Sequence, residues 1–425
     1  MVSETTPGLE RRLGLFPVVL SGLGVTIGAG IYVLIGAAAE SAGNAVWLSF
    51  ALAAAVASFT AVSYARLVRL RPKNAPEYQF VTLAFNRRLG FLAGWLTTWS
   101  MIISTAVISL GFAGYLENLF HVPPIAGALG LMAVMTVIVF SGMRKSVALL
   151  IGLTVPTVLG LVAVILIGVP HIGTFNLFET ASGFTGVFGA TALVFFALLG
   201  FETMANLAEE MKKPEKDLPK AMLFVLAISA VLYVLVSVSV VSVLGFSDLS
   251  LSTAPMADVA SRTVGSQAGA FIAVLSLTAT SSSGLFLLMS SSRAVWAMSC
   301  AGVLPLPFCS INQQRTPWIA ILGVGILASL FVFLENIEVV AQVTNIAVLL
   351  AFAGVNAAAI KLADRIEPNP SRLMQARIVP ALGLVLSGWL ALNTGTIALI
   401  FGGVLTAVGL VYYNIILRKR AGTAD

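Results

Sequence analysis

The chain has 425 residues, of which 58% are hydrophobic and only 10% charged. Soluble domains carry about 25% charged residues, so this composition excludes a water-soluble globule and leaves lipid as the natural solvent. The net charge of +6 would suit a nucleic-acid partner, but Lys and Arg fall in short segments between apolar runs, where membrane topology puts them, so no nucleic-acid partner is expected.

About twenty apolar residues cross a bilayer as a helix. Runs of that kind occupy 13–39, 41–65, 89–116, 122–141, 146–170, 186–201, 218–245 (with Lys220 near its start), 266–292, 316–334 and 339–360. A final run, 378–417, is long enough for two helices and contains the turn signal Asn393-Thr394-Gly395. The result is an all-α integral membrane protein of twelve spans in one membrane domain, 1–425. The uncharged stretch 294–314 holds Pro305, Pro307, Asn312, Gln313 and Gln314, and reads as a loop with at most a short interfacial helix.

With both termini in the cytoplasm, every Lys and Arg except Arg262 lies on the inner side, from Arg11 and Arg12 through Arg144, Lys145, Arg293 and Arg315 to Arg418, Lys419 and Arg420. The outer loops carry Glu40, Glu117, Glu179, Asp248, Asp258, Glu335 and Glu338. This is the positive-inside bias of a multi-pass cell-membrane protein. Residues 1–12 contain Glu4 and no cleavage pattern, so a mature N-terminus is expected. Cys300 and Cys309, the only cysteines, fall at the inner end of span 8 and are expected as free thiols. With no cysteine outside, no disulfide-linked subunit is expected. His121 and His171 lie near no cysteine, so no metal site beyond a sodium ion is expected, and nothing suggests an enzyme.

Two spans look broken. Span 1 reads Gly24-Val25-Thr26-Ile27-Gly28-Ala29-Gly30-Ile31-Tyr32. Each glycine costs a helix about 1 kcal/mol relative to Ala, and irregular backbone at membrane depth needs protein or a wet cavity around it; close helix packing through small residues is the alternative. Span 6 reads Phe195-Phe196-Ala197-Leu198-Leu199-Gly200-Phe201-Glu202. Glu202 is the one acid placed deep in a span, where a charge costs about 2.5–3.5 kcal/mol. It is either a structural carboxyl or a functional one. Interrupted helices five spans apart point to a transporter built on inverted repeats, 13–170 and 186–361, with spans 11 and 12 at 377–417 peripheral.

At these residues the sequence resembles the amino acid–polyamine–organocation transporter superfamily. The likeness rests on Gly24 to Tyr32, on Phe195 to Glu202 followed by Ala208-Glu209-Glu210-Met211-Lys212-Lys213-Pro214 and Asp217-Leu218-Pro219-Lys220-Ala221, on Gly94-Trp95, and on Ser292-Arg293 through Gly302-Val303-Leu304-Pro305. It implies a LeuT-like 5+5 fold with helices 1 and 6 discontinuous, and transport of an amino acid by alternating access. The chain departs from the pattern at Asn74-Ala75-Pro76-Glu77-Tyr78, where many relatives have Gly-Gly before the Tyr. It departs again in span 5, where Thr157 aligns with a Lys that some proton-coupled relatives carry.

Physical chemistry then assigns roles. Opened backbone at Gly28, Ala29, Gly30 and Ile31 offers N–H groups to a carboxylate. Carbonyls of Thr26 and Ile27, with those of Phe196, Ala197 and Leu199, suit an ammonium group. Phe201 is a candidate lid, and the apolar surroundings favour a small neutral or apolar amino acid; an exchanger or a polyamine carrier is the alternative. For coupling, the carbonyls of Gly24 and Ile27 with Ser282 and Ser283 would suit sodium, and Glu202 would suit a proton. Hydroxyls in a membrane helix also bond their own backbone, so sodium, proton and plain exchange stay open. So does the oligomeric state.

Overall fold

The computed structural model describes residues 13–417 apart from Glu335 and Pro368. Glu4, Arg11, Arg12, Glu335, Arg418, Lys419 and Arg420 lie outside the described residues, as do the side chains of Ala29 and Arg144. Among the described residues the fold is helical throughout: α1 (Leu15–Thr26), α2 (Ala29–Ala42), α3 (Val46–Leu70), α4 (Pro76–Ala84), α5 (Arg87–Phe120), α6 (Pro124–Phe140), α7 (Met143–Gly168), α8 (Gly183–Val194), α9 (Pro214–Ser250), α10 (Pro255–Thr263), α11 (Ser266–Cys300), α12 (Trp318–Val332), α13 (Ile337–Lys361), α14 (Ala363–Ile366), α15 (Pro370–Leu392) and α16 (Thr396–Tyr412). Among the described residues nine segments are long and apolar enough to cross a membrane; one of them, Leu15–Leu70, runs from α1 to α3. Two shorter apolar helices, Pro124–Phe140 and Trp318–Val332, complete the apolar set.

Helix ends follow from the sequence. Asn86 caps α5 by accepting from the Leu89 N–H at 2.9 Å, and Asn336 caps α13 by accepting from Val339 at 2.9 Å. Gly395, at φ +88°, makes the turn between α15 and α16. The most enclosed segments are α5 and the stretch from α1 to α3, followed by Gly183–Glu210 and α13, whereas α7, α15 and α16 show most of their apolar surface outward, as lipid-facing helices do.

Two expectations at the α11 end are corrected. The helix does not stop near residue 292 but continues to Cys300. Arg293, expected in a loop, is therefore interior and only 1% exposed, and its Nε donates to Glu210 at 3.0 Å. The cysteines are not free thiols: Cys300 and Cys309 form a disulfide, their Cα atoms 5.0 Å apart. The chain reverses at Gly302 (φ +72°), and the 3-10 turn Leu306–Cys309 folds back on the helix end, where the Trp296 indole N–H donates to the Cys309 carbonyl. Thiol pairing follows backbone geometry, which the expectation from compartment did not contain. Arg262, expected as the one cation on the outer side, pairs with Asp248.

Candidate functional site

Helix α1 ends at Thr26. Ile27 (φ −83°, ψ 82°) and Gly28 (φ −145°, ψ −142°) are non-helical, and α2 begins at Ala29. The first-turn N–H groups of α2 have no carbonyl ahead of them within the helix. The second interruption lies beyond α8. A 3-10 turn, Phe195–Leu198, leads into extended backbone at Leu199, and Thr203–Glu210 is again 3-10. Gly200 stands at φ +131°, a conformation that side chains rarely adopt, and a Cβ there would lie 2.7 Å from Thr26 Oγ1.

The two interruptions touch. A Cβ on Gly30 would fall 2.2 Å from the Cα of Ala197, so only glycine lets the backbones meet here. Between them lies a cavity lined by Val25, Thr26, Gly30, Phe196, Leu199, Glu202 and Thr203, closed by Ser100, Met101, Ser104 and Ile108 of α5 and by Leu287 of α11. Thr26 Oγ1 is buried with no hydrogen-bond partner. Glu202, 4% exposed, accepts the Gly200 N–H at 2.9 Å, which caps the broken backbone with its own side chain. Phe201 is not on the cavity wall; its ring packs against Tyr64 and Phe352. Ile27, Ile31 and Ala197 are fully or almost fully buried beside the wall rather than on it.

A second oxygen-rich place lies below α1. Ser283 Oγ donates to the Gly24 carbonyl at 2.8 Å and Ser282 Oγ to the same carbonyl at 3.1 Å; Ser282 also reaches the Ala279 carbonyl at 2.9 Å. The structure thus brings Gly24, Ser282 and Ser283 together and adds Ala279, while the Ile27 carbonyl takes no part in these bonds. Facing Gly24 from α7 is Thr154, whose Oγ1 would be 2.2 Å from a Cβ at Gly24. Thr157, one turn on, instead presents its carbonyl to the Tyr32 hydroxyl at 2.9 Å.

Several participants carry no signal in the sequence. Tyr233 of α9, fully buried, donates its hydroxyl to the Thr26 carbonyl and lies 3.0 Å from the Ala197 carbonyl, bridging both interruptions. Ser100, Met101, Ser104 and Ile108 lie in a featureless apolar run. Beyond the cavity a larger space of about 400 Å³ is lined by α2, α5 and α13, with Glu40, Glu117 and Glu338 on its wall. Among the described residues no cluster of His, Cys, Asp and Glu is arranged to hold a metal.

The family model for amino acid permeases matches residues 17–413. The branched-chain amino acid permease of Bacillus subtilis is 29% identical over 97% of this chain and 94% of its own length. The methylthioribose transporter of the same organism is 28% identical over 97% and 95%. Human cationic amino acid transporter 4 is 30% identical over 87% of this chain and 62% of its own length.

Proposed function

Because this chain belongs to the amino acid permease family, we propose that it carries a small neutral or apolar amino acid across the cell membrane by alternating access through the cavity between the two interruptions. One observation carries the reading: two broken helices meet at Gly30 and Ala197, with their freed backbone around one cavity. The start of α2 offers N–H groups and partial positive charge to a carboxylate. The end of α1 and the turn at Phe195–Leu199 offer carbonyls to an ammonium group. Met101, Ile108, Phe196, Leu199 and Leu287 give the cavity wall apolar surface for a side chain to meet.

We read the crossings as twelve, with α1–α2 and α8 plus its 3-10 continuation each one interrupted span, and α4, α10 and α14 outside the count. Placement supports the inverted repeat. The nine-residue helices α4 and α10, each opening on a proline, stand between spans 2 and 3 and between spans 7 and 8. Both termini then share one side, which the Lys and Arg distribution assigns to the cytoplasm. Sodium is the better-supported coupling ion, because carbonyl and hydroxyl oxygens of Gly24, Ala279, Ser282 and Ser283 already converge and unwound carbonyls suit such ions. A proton on Glu202 is the second reading, favoured by that carboxyl's place on the cavity wall.

The test is a competition panel in proteoliposomes. Excess aliphatic amino acids are expected to block uptake of a labelled neutral amino acid, with lysine and putrescine inactive. Block by the dibasic solutes alone would replace this substrate class. Replacing Ser282 and Ser283 together by Ala is expected to remove any sodium dependence, and retained dependence would end the sodium assignment.

A further inference from the structure

A second buried acid stands apart from the solute cavity. Glu77, at the start of α4, is 3% exposed. Its carboxylate oxygens accept from the Tyr64 hydroxyl at 2.7 Å and from the Thr97 hydroxyl at 3.3 Å. Just ahead of it the chain clasps the 3-10 segment Thr203–Glu210. The Ala75 N–H donates to Asn206 Oδ1 at 2.9 Å and the Asn74 N–H to Glu209 Oε1 at 3.2 Å. Ala75 takes φ +53° to do so, a left-handed conformation that a non-glycine residue keeps only when its surroundings hold it. The same segment is fixed on its other side, where Ser290 donates to the Thr203 carbonyl at 3.0 Å and Arg293 pairs with Glu210. Tyr64 ties Glu77 to the interruption itself, because its ring packs edge-on against Phe201, next to Glu202.

We propose that Glu77 holds a proton while this clasp is shut and releases it to water when Thr203–Glu210 swings away, making it a second proton site, on the gate rather than in the cavity. The proposal rests on the reading that this half of the interrupted helix moves during transport. The groups facing Glu77 are Tyr64 from α3, Thr97 from α5 and, electrostatically, Glu202 from the interruption. From α13, Phe352 packs on Tyr64. Arg71, Lys73 and Glu209 lie further out, around a pocket shared with Tyr78 and Gln79. Both side-chain bonds to Glu77 thus come from neutral hydroxyls. Burial pushes its carboxyl from 4.5 up to about 7, against the opposing pull of Tyr64, its own N–H and Thr97. A group that binds its proton more tightly in the shut state favours that state at low pH. Opening gains as pH rises from 4.5 to about 7 and gains nothing more above that.

The experiment is hydrogen–deuterium exchange on the purified full-length protein from about pH 5 to about pH 8, corrected for intrinsic exchange. It reads 74–80 and 203–211 and needs no transported solute, so a wrong substrate class leaves it intact. Protection of both segments is expected to fall about tenfold or more between about pH 5 and about pH 7 and then level off. In Glu77→Gln it is expected to stay high throughout. Tyr64→Phe, a gentler change, removes a donor that favours the ionised form and is expected to move the midpoint upward. Protection that ignores pH in the wild type, a fall that survives in Glu77→Gln, or a midpoint unmoved in Tyr64→Phe would overturn the proposal.

Discussion

The interruption after Thr26 and the one around Leu199 border the same cavity but are held open by different means. The first depends on its neighbours. Ser282 and Ser283 take the Gly24 carbonyl, Tyr233 takes that of Thr26, and Gly30 must lie against Ala197. The second shares the Tyr233 and Gly30 contacts at Ala197 but adds a local cap of its own. Glu202 caps Gly200 from two residues away, and the Thr203 hydroxyl donates back to the Gly200 carbonyl at 2.7 Å. A break maintained by other helices responds to their movement, whereas a self-capped break moves as a unit. This contrast suits a first interruption that registers ion and solute and a second that carries the gate.

Substitutions should sharpen the contrast. The largest effect is expected at Gly30→Leu, where backbone rather than a flexible side chain meets the added atoms. Overpacking typically costs about 1–3 kcal/mol and at times more, so thermal unfolding should drop clearly and uptake should vanish. Wild-type uptake in this variant would mean that the backbones need not meet. Next comes Tyr233→Phe, which strips a donor from buried carbonyls on both interruptions. The Thr26 carbonyl keeps the Gly28 N–H at 3.1 Å, but leaving the Ala197 carbonyl unpaired costs about 1–3 kcal/mol, which a melting curve would register; an unchanged melting curve would remove Tyr233 as the bridge. Smallest is Glu202→Gln, because the amide oxygen still accepts the Gly200 N–H. Its stability should lie within about 1 kcal/mol of wild type, while Glu202→Ala loses a cap worth about 1–2 kcal/mol. Equal losses in both variants would mean that charge, not capping, is what the site needs.

Much of the fold was legible because lipid enforces it. Backbone polar groups must be satisfied within each span, so apolar runs and the turn at Asn393-Thr394-Gly395 both carry information. Glycines at 24, 28 and 30 marked the first interruption for the same reason. Less legible were residues whose meaning depends on partners far along the chain. Tyr233 acts on Thr26, and Arg293 on Glu210. Glu77 sits in a short polar segment that looks solvent-facing until α3 and α5 close over it. That Thr154 faces Gly24 was not legible either, because helix rotation is not fixed by a run of uniformly apolar residues. The disulfide was missed because nothing local shows that the chain turns back at Gly302.

The most direct test is uptake of a labelled neutral amino acid into proteoliposomes with an inward sodium gradient, against choline at equal pH on both sides. Accumulation above equilibrium with sodium, lost with choline and lost again when Ser282 and Ser283 are both Ala, is the predicted result. Equal uptake in sodium and choline would contradict the ion site beneath α1 and move the coupling role to Glu202; no uptake of any amino acid would contradict the assignment of the cavity itself.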